Sequence, residues 1–157
     1  MIRLILLAWA ALFLLVGAVR ADQTEVALTV MCGARGATLV QMVRAEARRH
    51  LMHPLLLASV IAAESRCRAY ASSGRGDFGL GQIRLGGSAA RGATVAELLE
   101  PARNVELTAR HLASCLMLCG FTSGALSVYS GRKHCRPSKY SERVLGLFRL
   151  SLTQPRR

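Results

Sequence analysis

Aromatic side chains are scarce in this sequence: Phe, Trp and Tyr together make up 5% of 157 residues. So few rings exclude a stacking platform for single-stranded nucleic acid and an aromatic cage for cations. Acids are also few, with nine Asp and Glu against 21 Lys and Arg, for a formal charge of +12. That imbalance is a statement about partners and not about fold. The four Pro and 14 Gly are scattered without a repeat, which excludes collagen-like, linker-rich and solenoid chains. No segment alternates convincingly with period two, so helices must carry the fold. What remains is 52% hydrophobic and only 19% charged, a composition that buries a core and speaks against disorder. The length suits one domain.

Part of the apolar excess lies in one block. Met1-Ile2-Arg3 supplies a positive start, Leu4 to Val19 is an unbroken apolar run, and Val19-Arg20-Ala21 ends it with small residues. This pattern predicts a secretory signal peptide over residues 1–21, cut before Asp22. At 16 residues the run is short for a membrane span, and the alternative is an uncleaved anchor, the single route to a membrane that we read here. Either form exports the rest, to the periplasm or cell envelope. Removing residues 1–21 takes away Arg3 and Arg20 and no acid, leaving 136 residues, 19 bases, nine acids and a charge of +10.

Export changes the meaning of the cysteines. Cys32, Cys67, Cys115, Cys119 and Cys135 all follow the leader, and thiols in an oxidising compartment usually pair. Five is odd, so one stays free or links to another chain. Cys119 and Cys135 bracket a step of 16 that closes readily into a loop, and Cys32 with Cys67 or Cys115 is a second candidate bridge. A metal reading competes, because His111, Cys115 and Cys119 recur every four residues, with His134 and Cys135 farther on. A third ligand two turns along a helix sits about 12 Å from the first, too far to share one zinc ion. We therefore expect disulfides or packed thiols, with no metal and no cofactor.

The exported part reads as helices joined by Gly-rich turns. Residues 37–51 are amphipathic, with Leu39, Val40, Met42 and Val43 opposed to Arg44, Arg48 and Arg49. His53-Pro54 breaks the run, and Pro54 is well placed to open a new helix to about Arg66 that is apolar nearly all round. Residues 71–81 are rich in Ser and Gly and read as a loop, and Thr94 opens a short helical turn. A longer helix over 104–118 is ended by Gly120, a short apolar one covers 124–130, and an amphipathic one covers 140–152. The expected fold class is mainly α.

One residue breaks the apolar pattern. Glu64 ends the most apolar helix of the chain, where a charged carboxylate is costly unless compensated. Burial raises a carboxyl pKa, which is what a general acid working near neutral pH requires. The plain alternative is a helix-end Glu paired with Arg66, Arg68 or Arg75.

The run from His53 to Ser65, ending Ala62-Ala63-Glu64-Ser65, resembles the catalytic helix of the soluble-type lytic transglycosylases, lysozyme-like enzymes that cleave peptidoglycan. Gly79-Leu80-Gly81-Gln82 is similar to the family's Gly-Leu-Met-Gln, 15 residues after Glu64, and Ser73 falls where a loop serine often occurs. Asn104 matches the Asn that follows an acidic-Pro element, here Glu100-Pro101. Tyr129-Ser130-Gly131 resembles Tyr-Asn-Ala-Gly, and Tyr140 with Val144 resembles the late Tyr-x-x-x-Val. The five motifs stand in the family's order and cover residues 50–148 of a domain expected over 22–157.

The resemblance implies a single lysozyme-like helical domain and a reaction. Glu64 would protonate the glycosidic oxygen between MurNAc and GlcNAc, then accept the proton of the muramyl 6-hydroxyl as a 1,6-anhydro ring closes. Hydrolysing relatives need a second carboxylate, and goose-type lysozymes carry an acid two residues after the Gly-Leu-x-Gln motif, where this chain has Arg84. Asp77, in the loop before Gly79, reads as a loop cap. Substrate contacts are implied for Ser65, Ser73, Gly79, Leu80, Gln82, Asn104, Tyr129 and Tyr140, with Ser65, Gln82 and Tyr129 bonding sugars or the cleft backbone, and Gly79 and Gly81 letting backbone approach the glycan. Gly81 in place of Met removes a side chain expected to touch substrate, and Ser130 in place of Asn leaves only a hydroxyl.

Two other classes compete with this reading. A nucleic-acid binder would explain the charge, but the leader, the few aromatics and the dispersed Arg residues oppose it, and we expect no nucleic acid partner. A catalytically weak lysozyme-fold scaffold or peptidoglycan-binding module would explain Gly81 and Ser130, and the retained Glu64 opposes it. The expected partner is the peptidoglycan strand. Small exported members of this family also accompany secretion, conjugation or pilus machines, where they open the wall locally.

Overall fold

The computed structural model describes residues 23–154. The leader expected over 1–21 lies outside them, and no helix of the described residues is long and apolar enough to cross a membrane. The first helical stretch, α1, covers 23–32. It is followed by α2 (Ala34–Ala37), α3 (Val40–Arg49), α4 (Pro54–Ser65), β1 (Asp77–Phe78), β2 (Ile83–Arg84), α5 (Val95–Leu99), α6 (Pro101–Cys119), α7 (Ser123–Tyr129) and α8 (Lys139–Leu152). The domain is mainly helical.

Local chemistry sets the helix ends. Pro54 occupies the first turn of α4, and the His53 ring nitrogen accepts from Leu55 N–H at 3.2 Å. Arg66, in the left-handed region at φ 52°, stops the helix. Thr94 and Glu97 form a reciprocal capping box at α5, Glu100 caps α6, and Ser138 caps α8. The segment expected as one helix over 37–51 divides at Thr38 and Leu39 into α2 and α3.

The apolar character of α4 has its cause in its position. Leu57, Ala58, Val60 and Ile61 are all fully buried, and α4 packs on α8 while also touching α3 and α6. Val105, Ala109 and Leu112 of α6 and Val144 of α8 complete that core. A smaller cluster of Ile83, Ala90, Ala93, Leu98 and Leu107 lies beneath the hairpin. This hairpin corrects the reading of 71–81 as plain loop: Asp77 faces Arg84 and Phe78 faces Ile83 in an antiparallel pair.

Two disulfides fasten the ends. Cys32–Cys67 ties α1 to the end of α4, and Cys119–Cys135 ties the end of α6 to the segment before α8. Cys115 is free and buried, and its thiol is pushed up to about 11 by burial. Because Cys119 is bonded to Cys135, it is removed from the ligand set that His111 and Cys115 suggested.

Candidate active site

A cleft of about 500 Å³ lies between the end of α4, the hairpin and α6 to α8. Glu64, in the last turn of α4, lines it together with Ser73, Gln82, Tyr129 and Tyr140. Glu64 forms no ion pair with Arg66, Arg68 or Arg75. Arg68 instead donates to the Ser65 carbonyl at 3.1 Å.

The hairpin turn is held from within. Asn104, fully buried on α6, accepts from Gly81 N–H at 2.8 Å and donates to the carbonyls of Phe78 at 3.0 Å and Leu98 at 2.7 Å. The Tyr129 hydroxyl donates to the Gly81 carbonyl at 2.8 Å. Both polar groups of the Gly81 backbone are thus bound, one from α6 and one from α7. Gln82, at φ 51°, turns its amide back onto the Gly79 carbonyl at 2.9 Å and the Ala71 carbonyl at 3.3 Å. A β-carbon on Gly79 would overlap Asn104 and the Leu98 carbonyl, and one on Gly81 would overlap Thr108.

These contacts place several of the expected site residues behind the cleft surface. Asn104, Leu80, Gly79 and Ser65 are buried and do not line the cleft. The Ser65 hydroxyl donates to the Ile61 carbonyl inside its own helix at 3.2 Å. Gly79 and Gly81 give close approach to α6. The side chain absent at Gly81 would have pointed at Thr108 and not into the cleft. Tyr129 lines the cleft but spends its hydroxyl on the Gly81 backbone.

Glu64 is the group whose protonation the surroundings control. Burial raises its pKa above the ordinary carboxyl value; the Tyr140 hydroxyl and Arg143 oppose this, and the charge of Asp77 adds to it. Tyr140 is close enough to favour the carboxylate, yet its buried hydroxyl makes no well-aligned hydrogen bond. Its ring stacks against Tyr129 at 6.4 Å between centroids, and the Arg143 guanidinium lies 5.5 Å from its centre. Burial pushes both phenols well up, so they remain protonated donors.

The other carboxylate on the cleft, Asp77, is occupied. Arg84 meets it with Nε at 2.6 Å and a second guanidinium nitrogen at 3.2 Å, and the Ser73 hydroxyl donates to it at 2.8 Å. Asp77, read from the sequence as a loop cap, does bond Ser73 but also joins the two strands through Arg84. His111 was not expected in the site. Its ring lies 4.8 Å from that of Tyr129, and burial lowers its pKa, so the neutral form is favoured. The available signal was spacing: Asn104, Thr108 and His111 fall on one face of α6 at i, i+4 and i+7. Ser130 and Arg84 also line the cleft.

The family model of the transglycosylase SLT domain matches residues 41–135, more than half of the chain. A search of curated proteins finds no match.

Proposed function

Because the chain belongs to the transglycosylase SLT domain family, whose members cleave peptidoglycan, we propose that it is a lytic transglycosylase in which Glu64 is the sole acid and base. The observation that carries this reading is the contrast between two carboxyl groups on one cleft. Glu64 is partly buried with a raised pKa, whereas Asp77 is held by Arg84 and Ser73. Glu64 is thus suited to deliver a proton, and Asp77 is poorly placed to activate water.

The reaction then runs on one carboxyl. Protonated Glu64 gives its proton to the glycosidic oxygen as the bond from the muramyl C1 breaks. The resulting carboxylate takes the proton of the muramyl 6-hydroxyl, whose oxygen bonds to C1 and closes the 1,6-anhydro ring. Glu64 ends protonated, ready for another cycle. Tyr140, a neutral donor beside Glu64, favours the carboxylate at the midpoint. The domain of residues 22–157 works outside the cytoplasm in this reading, in keeping with its substrate, its apolar leader and its two disulfides.

Muropeptide analysis after digestion of purified wall tests the proposal. Anhydro-muramyl ends are expected. Reducing ends would make the protein a hydrolase, and no product would leave a scaffold. Glu64→Gln keeps the shape of the side chain but cannot deliver a proton, so product should fall by about a hundred- to ten-thousand-fold in a folded protein.

A further inference from the structure

The end of α6 carries apolar side chains that the rest of the domain leaves uncovered. Met117, Leu118 and Phe121 are 88%, 71% and 78% exposed. Single apolar residues are ordinary on a surface, but three within five positions make a patch. Exposed to that degree, Met117 and Phe121 project from the surface and do not line a groove. All three lie within two residues of Cys119, which is bonded to Cys135. The segment 131–138, which holds Cys135, is laid along α7. Arg132 N–H donates to the Ser127 carbonyl at 3.1 Å, the Ser127 hydroxyl donates to that of Ser138 at 2.8 Å, and a β-carbon on Gly124 would overlap the Cys135 backbone. The apolar trio and this segment therefore share one corner of the molecule. The corner is also cationic. Arg132, Lys133 and Arg136 are exposed and join no ion pair among the described residues, and no Asp or Glu occurs between Glu106 and Glu142.

We propose that this corner seats on an anionic lipid bilayer, with Met117, Leu118 and Phe121 entering the headgroup boundary and Arg132, Lys133 and Arg136 lying against lipid phosphates. Projecting apolar groups need a partner that closes around them, and a fluid interface does so without a matching cavity. The cations need negative charge spread over an area, which the same surface supplies. A second copy of the chain fits poorly, because it would set like charges against each other. The bilayer is a route to a membrane that makes no use of the leader. It requires nothing of Glu64 and stands or falls apart from the glycan-cleaving reading.

Sedimentation with vesicles tests the proposal, using the protein purified after export. One set of vesicles is phosphatidylcholine alone and the other an equal mixture with phosphatidylglycerol. The mixed vesicles should bind the protein, and the neutral ones should bind it at least about tenfold more weakly. Arg132→Gln and Lys133→Gln should each weaken binding about fivefold, the effect of one cation at an anionic surface. Met117→Ser and Phe121→Ser should each weaken it about tenfold, and that loss should persist at high salt, where the charge contribution is screened. All four positions are exposed, so the melting temperature should stay unchanged. Depth is read separately from Phe121→Trp, since the one Trp of the sequence, Trp9, lies in the leader. Its emission, after subtraction of the parent signal, should shift to the blue on mixed vesicles. No binding to the mixed vesicles, which would leave the corner to an acidic protein, overturns the inference. So does equal binding to both kinds of vesicle, an unshifted emission, or binding that none of the substitutions moves, as a retained leader would give.

Discussion

Thr108 occupies the space that a side chain at Gly81 would fill: a β-carbon built there overlaps the Thr108 hydroxyl, and both residues are buried. Overpacking of this kind typically costs about 1–3 kcal/mol. Gly81→Ala should therefore lower the melting temperature. In the Gly81→Ala, Thr108→Ala double variant much of that loss should disappear, with a coupling of about 1 kcal/mol or more. Strictly additive effects in thermal unfolding would show that the two residues do not share this space.

The raised pKa of Glu64 makes a signed prediction about pH. The folded protein holds this proton to higher pH than the unfolded chain, so the associated stability is complete below the ordinary carboxyl value of 4.5 and is lost as pH rises through the raised one. Gln cannot ionise. Glu64→Gln should melt above the wild type at neutral pH, and the difference should shrink toward zero as pH falls to about 4. Turnover should fall on the alkaline side of that same raised pKa. A difference in melting temperature that stays constant from acid to neutral pH would falsify the shift.

Thiol counting checks the cysteines. The native protein should show no reactive thiol, since Cys115 is 3% exposed and its pKa is pushed up to about 11. Unfolded without reductant it should show one, and with reductant five, given the two bridges. Reduction should cost about 2–4 kcal/mol per bridge. Three thiols in the unreduced, unfolded protein would mean that one bridge does not form.

The charge of +10 expected once residues 1–21 are removed, 19 bases against nine acids, predicts salt dependence. Wall peptides and acidic wall polymers are anionic, and screening shortens from about 30 Å at 0.01 M to about 8 Å at 0.15 M ionic strength. Binding to intact wall should weaken markedly across that range, while turnover of a short, bare glycan fragment stays nearly flat. Sedimentation of the protein with wall sacculi, measured beside fragment kinetics, separates the two. Equal sensitivity in both assays would leave the Arg excess a matter of solubility.

Much of the helical frame was legible because punctuation residues mark it. Pro54, Thr94, Gly120 and the apolar block of α4 each announce a boundary or a buried element. The hairpin was not legible, since strands of two residues are too short to show alternation. At the site, Glu64 was visible as the one carboxyl on an apolar helix. The bracing contacts of Asn104 and Gly79 were not legible for a physical reason: a motif marks residues a site needs, without saying whether they face the ligand or brace the loop behind it. Asn104 braces, through three hydrogen bonds that no spacing rule reveals. The pairing of Asp77 with Arg84 depends on the hairpin register, which only the folded chain displays.

The ending of α4 at Ser65, one residue beyond Glu64, has an electrical consequence. Aligned peptide dipoles leave a partial negative charge of about half an electron at a helix C-terminus, over the last turn of carbonyls. Glu64 stands in that turn, where the backbone itself disfavours a carboxylate. The acid therefore takes part of its proton affinity from the direction of the helix that carries it, a contribution that no replacement of Tyr140, Arg143 or Asp77 can remove.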